Sequence, residues 1–110
     1  MLASCCFAYT SQLAHVVSNS YIKSPGLKGE KGFSANSFLD MTRVARLDEN
    51  MWCDLFLLNR DNLLREVETL LAHIEEHRDA LKAGDRERIR LMLKEGRELK
   101  ERNSLERKTL

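Results

Sequence analysis

The sequence predicts an all-α fold, and three observations support this prediction. Apolar residues recur at helical spacing over most of the 110 residues. The only proline, Pro25, stands in one short stretch with three of the five glycines, which predicts a single long loop. After this stretch no glycine or proline occurs until Gly84, which leaves a long uninterrupted interval for helix.

The composition is that of one soluble globular domain. It is 43% hydrophobic and 32% charged, and the formal net charge of +1 argues against an overall electrostatic preference for nucleic acid or acidic membrane. No apolar run approaches the ~18 residues that a membrane span needs. Three cysteines cannot form a fully paired disulfide framework, which fits a reducing cytoplasm. We therefore expect no nucleic-acid partner, no membrane partner and a cytoplasmic location.

The first predicted helix runs from about Ala3 to Ile22. Its apolar residues share one amphipathic pattern, and serines and an asparagine occupy the other side; they are Phe7, Ala8, Leu13, Ala14, Val16, Val17, Tyr21 and Ile22. The glycine-containing loop follows over residues 23–35.

The remainder predicts three more helices. Helix 2 runs from about Asn36 to Leu47, and Asp48 is a candidate N-cap because its carboxylate can accept hydrogen bonds from the amides of the next turn. Helix 3 runs from Asp48 to Ala83 and stops at Gly84, and the last helix follows. Helices 3 and 4 together predict a long helical hairpin over residues 48–105.

A straight helix 3 predicts a homodimer. It would span about 54 Å at ~1.5 Å per residue, whereas a compact chain of this length has a diameter of about 34 Å. Its apolar stripe would remain exposed to water unless a second copy covered it. The alternative is a bend in helix 3, although no proline enforces one.

Residues 38–52 contain the most informative polar residues. Arg43 follows Asp40 by three residues on a helical pattern, so the two either form a surface ion pair or leave Arg43 to bind an acidic ligand. Trp52 ends the segment, and a tryptophan in such a pattern is ordinarily part of the core.

The histidines and the charged tail favour structural interpretations. His15 lies among apolar residues, which favours a half-buried structural histidine over an imidazole that meets a polar ligand. His73 and His77 have metal-ligand spacing but lack a third ligand, so a solvated face is favoured. From Asp85 onward basic and acidic residues interleave without aromatics, which is typical of a solvated helix rather than a nucleic-acid surface. No glycine-rich phosphate loop, nucleophile with a base, or metal-ligand cluster is present.

Three segments in order resemble one known family. They are SQLAH at residues 11–15, FLDMTRVA at 38–45, and MW at 51–52 followed by LNRDNLL at 58–64. Over Phe7 to Arg102 the chain resembles the C-terminal helical dimerisation domain of prephenate dehydrogenase, with residues 1–6 outside the resemblance. The family often has a histidine and a proline at positions 12 and 14 and a basic residue at position 39, where this chain has Gln12, Ala14 and Leu39.

The resemblance implies a fold, a reaction and site residues. The fold would be a four-helix dimerisation domain similar to the C-terminal domains of 6-phosphogluconate-dehydrogenase-like enzymes. The reaction would be the oxidative decarboxylation of prephenate to 4-hydroxyphenylpyruvate, in tyrosine biosynthesis, with NAD or NADP bound by an N-terminal Rossmann domain. By resemblance His15 and Arg43 bind substrate, while Ser11, Asp40 and Trp52 belong to the network around the pocket and the dimer interface.

These 110 residues contain no dinucleotide fingerprint and no catalytic residue for hydride transfer, and we expect no metal site. One hypothesis is therefore a dimerising, substrate-binding part of prephenate dehydrogenase that binds no cofactor and has no dehydrogenase activity alone, but works with a separate Rossmann-domain chain. The alternative is a stand-alone helical dimerisation or interaction module without catalytic activity. A weaker third hypothesis is a nucleic-acid binder that uses the basic tail.

Overall fold

A computed structural model describes residues 2–29 and 35–109, and every regular element within them is helical. The predicted all-α class is confirmed. In chain order the elements are α1 (Leu2–Phe7), a π-helical segment (Ala8–Gln12), α2 (Leu13–Ile22), a 3-10 helix (Pro25–Gly29), α3 (Asn36–Thr42), a 3-10 turn (Arg43–Ala45), α4 (Glu49–Leu58), α5 (Arg60–Ala83) and α6 (Arg86–Thr109). No described helix has a stretch long and apolar enough to cross a membrane.

The first predicted helix is confirmed, with one irregularity. α1, the π-helical segment and α2 follow each other without a break. Within the segment the N–H of Leu13 bonds to the carbonyl of Ala8, five residues back, which widens the helix by one residue at this point. The 3-10 helix occupies part of the predicted loop, and residues 30–34 of that loop lie outside the described residues.

The second predicted helix is shorter than expected. α3 ends at Thr42 rather than Leu47, and Arg43–Ala45 form a tighter 3-10 turn. The chain is extended at Arg46, after the 3-10 turn. It is extended again at Asp48, because an N-cap residue must leave the helical region. Asp48 accepts from the amides of Asn50 at 3.0 Å and Met51 at 3.3 Å, which confirms it as the N-cap of α4.

The prediction of a single helix from Asp48 to Ala83 is wrong. The chain breaks at Asn59 (φ −115°, ψ 28°), which ends α4 and precedes α5. The N–H of Asn59 bonds to the carbonyl of Phe56, and its own carbonyl accepts from Leu63 in the first turn of α5. If α1 and α2 are counted as one helix, the described residues contain five helices rather than four. The dimer prediction assumed one straight helix from Asp48 to Ala83, so the argument from helix length no longer holds.

The chain forms two compact units, Met1–Thr69 and Leu70–Leu110. In the first unit α2 packs against α3 and against the 3-10 turn that follows it. Among its described residues the buried apolar ones are few, namely Ala8, Leu13 and Leu63, and two polar residues, Gln12 and Ser18, are also buried. Polar contacts are therefore expected to contribute substantially to its structure.

The second unit contains the end of α5 and all of α6, joined at Gly84. Gly84 has a φ of 62°; its N–H bonds to Leu81, and the N–H of Asp85 bonds to Ala80. This pattern satisfies the last carbonyls of α5 and favours glycine at the left-handed position. Asp85 then caps α6 by accepting from the amide of Arg88 at 3.1 Å. The predicted helix stop at Gly84 is confirmed.

Candidate functional site

Two aromatic rings from separate helices meet in the first unit. His15, near the start of α2, stacks on Trp52 of α4 with ring centroids 3.9 Å apart and an interplanar angle of 24°. Phe56, one turn further along α4, meets the indole edge-on at 6.0 Å. His15 and Trp52 are both half-buried.

The hydrogen bond of His15 fixes its tautomer. Nδ1 lies 2.9 Å from the backbone carbonyl oxygen of Ser11. A carbonyl can only accept, so Nδ1 must carry the proton. Nε2 then accepts a hydrogen bond in the neutral ring and donates one in the charged ring, and no group in the described part of the chain bonds to it. Ser11 thus contributes to the site through its backbone.

Asp40 and Arg43 do not form the ion pair that their spacing allows. Both side chains are exposed, and no ion pair joins them among the described residues. Thr42 is the last residue of α3, and Arg43 follows it with helical backbone angles and an N–H that bonds to the Leu39 carbonyl. Arg43 lies in the 3-10 turn that packs against α2, the helix that carries His15. Its guanidinium remains available to a ligand.

A chain of side-chain amides, which sequence reasoning missed, links the first helix to the break at Asn59. Gln12, only 1% exposed, donates to the carbonyl of Leu55 at 3.1 Å and accepts from the amide of Asn59 at 2.8 Å. Asn59 also donates to the carbonyl of Ser4 at 2.9 Å. The available signal was Asn59 itself, because asparagine competes with the helix for backbone hydrogen bonds and favours helix ends.

The histidine pair and the charged tail lie on solvated helix surfaces. His73 and His77 are exposed, and Nδ1 of His73 lies 3.8 Å from Glu76. No cluster of three or more potential metal ligands occurs among the described residues. On α6, Arg90 donates to Glu87 at 2.7 Å and lowers the pKa of this carboxyl group. Further pairs join Lys94 to Glu98 and Arg97 to Glu101, as interleaved charges predict.

Two hollows in the first unit lie away from this site. One, of about 350 Å³, is lined by residues of α1, the π-helical segment and α4; the other, of about 420 Å³, lies between the end of α2 and Phe38. Neither includes His15 or Arg43.

The described residues form a helical module with an imidazole–indole stack and an exposed arginine that has no ion-pair partner among them. The family described as prephenate dehydrogenase, dimerization domain, matches residues 5–95. The chain belongs to that family, which confirms the resemblance derived from its three segments. No curated protein matches the chain.

Proposed function

We propose that this chain is the dimerising and substrate-binding part of a prephenate dehydrogenase. The observation that carries the proposal is the pairing of an open His15–Trp52 stack with an exposed, unpaired Arg43, in a chain that belongs to this family. The complete enzyme would convert prephenate to 4-hydroxyphenylpyruvate in tyrosine biosynthesis. Three free, exposed cysteines support the cytoplasmic location that this role implies.

Each site residue has a distinct role in the proposal. Arg43 binds a carboxylate of prephenate through two parallel hydrogen bonds, because its guanidinium is planar and permanently charged. His15 directs Nε2 toward a polar group of the substrate, while the Ser11 carbonyl and the face of Trp52 fix the plane of the ring. Asp40 is exposed and precedes Arg43 by three residues, so its negative charge repels a second anion near Arg43.

The cofactor belongs to another part of the enzyme. NAD or NADP supplies the hydride acceptor, but the described residues contain neither a strand nor a glycine-rich turn that would hold its phosphates. The described residues therefore do not fit the dinucleotide. We assign it, together with the proton acceptor for the substrate hydroxyl, to a separate Rossmann-domain chain or segment, and expect these 110 residues alone to have no dehydrogenase activity.

The second unit provides the surface for a homodimer. Most of its described large apolar side chains are at least half exposed, and Ala80 is its only buried apolar residue among those described; the exposed ones are Leu71, Ile74, Leu81, Leu91, Leu93, Leu99 and Leu105. Burial of one leucine contributes about 1.5–3 kcal/mol. A second copy would bury several at once, in agreement with the dimerization role in the family description.

Prephenate binding tests the substrate proposal. Trp52 is the only tryptophan, so its fluorescence reports ligand binding beside His15. Removal of a hydrogen bond to a charged group costs about 1.5–3 kcal/mol, so Arg43→Ala should weaken prephenate binding by about tenfold to a hundredfold. Arg43→Lys should recover only part of this loss, because an ammonium group cannot make the paired contact.

Arg46 provides the matched control, since it is an exposed arginine three residues further along. Arg46→Ala should leave the prephenate affinity unchanged. Equal affinities in the Arg43 and Arg46 variants, or a lowered melting temperature in Arg43→Ala with unchanged affinity, would return Arg43 to a structural role.

A further inference from the structure

We propose that Gln12 and Asn59 are a positioning pair, which sets the register of α4 against the first helix and so holds Trp52 on His15. This inference rests on the proposed function for its biological meaning, but its geometry stands independently. Neither residue touches the substrate-binding groups. They act through the helices that carry those groups.

The contacts between the first helix and the α4–α5 region follow an antiparallel order. The carbonyl of Ser4 meets Asn59, Gln12 meets the carbonyl of Leu55, and His15 meets Trp52. From Ser4 to His15 the residue numbers rise along the first helix, while those of their partners fall from Asn59 to Trp52. The hydrogen bond from Gln12 to Leu55 therefore lies one helical turn from the His15–Trp52 stack on both helices.

Two backbone carbonyls fix the direction of the whole amide chain. A carbonyl only accepts, so Nδ2 of Asn59 donates to Ser4, and Nε2 of Gln12 donates to Leu55. The second hydrogen on Nδ2 of Asn59 then serves Oε1 of Gln12. Oδ1 of Asn59 accepts from Asn62 at 2.8 Å. Both hydrogens of the Asn59 amide are engaged, so a shift of α4 along the first helix would break several bonds together.

Gln12 also completes the end of α4. In a regular helix the carbonyl of Leu55 would accept from the N–H of Asn59, but that N–H bonds to Phe56 instead. The break thus leaves the Leu55 carbonyl without its helical donor. Gln12 supplies the missing hydrogen bond to Leu55, a residue 43 positions away in the sequence, and so ties the end of α4 to the first helix.

The π-helical segment directs Gln12 toward α4. Ser4, Ala8 and Gln12 are spaced by four residues, and over eight residues a regular helix would rotate the last side chain by about 80° from the first. The wider turn over Ala8–Gln12 reduces this rotation and keeps the three residues closer to one face. Ala8 is fully buried and Gln12 nearly so, as this arrangement requires.

Collisional quenching of Trp52 fluorescence tests the positioning role. Gln12→Leu keeps a similar volume but removes both hydrogen bonds, and Asn59→Gly removes the amide while it keeps a residue that can adopt the conformation of the break. Both variants should make Trp52 more accessible to acrylamide when they are folded. The matched control is Leu63→Val, since Leu63 is a buried apolar residue of the same unit outside the amide chain. It should lower stability without a change in quenching.

Prephenate affinity gives the second readout. Gln12→Leu should weaken binding about fivefold, the equivalent of one neutral hydrogen bond, although Arg43 is unaltered. Quenching in Gln12→Leu and Asn59→Gly equal to that in Leu63→Val would overturn the positioning role. If the parent chain binds no prephenate, the proposed function fails, and the quenching result alone still decides whether Gln12 and Asn59 hold Trp52.

Discussion

At the scale of single residues, hydrogen bonding separates the structural polar groups from those available to a ligand. Both amide hydrogens of Asn59 and both the nitrogen and the oxygen of the Gln12 amide take part in hydrogen bonds, whereas Arg43 and Nε2 of His15 have no partner in the described part of the chain. Ser18 is different again. Its hydroxyl is completely buried in α2 and has no hydrogen-bond partner among the described groups. A buried, unsatisfied hydroxyl lowers stability without contributing a contact.

Replacement of Ser18 tests this interpretation. Ser18→Ala should raise the free energy of unfolding by about 1 kcal/mol, because it removes an unsatisfied polar group and improves helix propensity. Ser20→Ala is the control: Ser20 is exposed and its hydroxyl donates to the Val16 carbonyl, so only the small propensity gain is expected. Urea denaturation measures both. A loss of stability in Ser18→Ala would show that this hydroxyl makes a stabilising hydrogen bond.

At the scale of elements, the helix ends have two different causes. Asp48 and Gly84 act locally. Asp48 accepts hydrogen bonds from the amides two and three residues further on, and Gly84 adopts a left-handed backbone that closes the last turn. The end at Asn59 depends instead on partners in the first helix. The position of such a break can change when the distant partner residues are replaced. The position of a capped helix end depends only on the residues next to it.

The two glycines of the last helical region provide a matched test of backbone conformation. A Cβ added at either Gly84 or Gly96 would meet nothing within 4 Å, so packing does not distinguish them. Gly84→Ala should lower the free energy of unfolding by about 1–2 kcal/mol, because it forces a left-handed conformation on alanine. Gly96→Ala should raise it by about 0.5–1 kcal/mol, because Gly96 lies inside α6. Thermal unfolding measures both changes.

One result would change this account of Gly96. If Gly96→Ala lowers stability and also weakens self-association, a second copy of the chain must approach α6 at this glycine. Alanine would then remove space that the partner helix occupies.

At the scale of the whole molecule, exposed apolar surface replaces helix length as the argument for a dimer. The two units are each compact, yet the second leaves nearly all of its described leucines at least half exposed. Such an array of exposed leucines is typical of an interaction surface. The family description supports a second copy as the partner.

Substitution of Leu81 tests the dimer surface. Leu81 is 67% exposed in the single chain, so Leu81→Lys should barely affect the fold of one copy. It should weaken dimerisation by about 2 kcal/mol, or about thirtyfold, because an apolar contact is lost and a charge loses water. The control is Leu58→Lys, at an 84% exposed leucine of the first unit. Mass measured in solution over a range of concentrations should show that only the Leu81 variant shifts toward the 12.7 kDa monomer.

A monomeric parent at all concentrations would contradict the homodimer. If the Leu58 and Leu81 variants dissociate to the same extent, the dimer interface either lies outside the second unit or includes residues of both units.

The candidate site was only partly predictable from the sequence. The resemblance of three segments singled out His15, Arg43 and Trp52, although periodicity alone favoured a structural histidine and a core tryptophan. The stack between His15 and Trp52 joins residues on separate helices, so no local pattern revealed it. The unpaired state of Arg43 was also hidden, because helical spacing allowed an ion pair with Asp40 that does not occur among the described residues.

By itself the sequence determined the helical class, the caps at Asp48 and Gly84 and the family, because each depends on residue types within one turn or on segments read in order. Only the tertiary structure decided where the long helix breaks and which polar groups remain available to a ligand. The break at Asn59 depends on Gln12 and Ser4, which lie 47 and 55 residues earlier. Interactions over such separations form only when the chain is folded, since closure of the intervening chain carries an entropic cost that packing must offset.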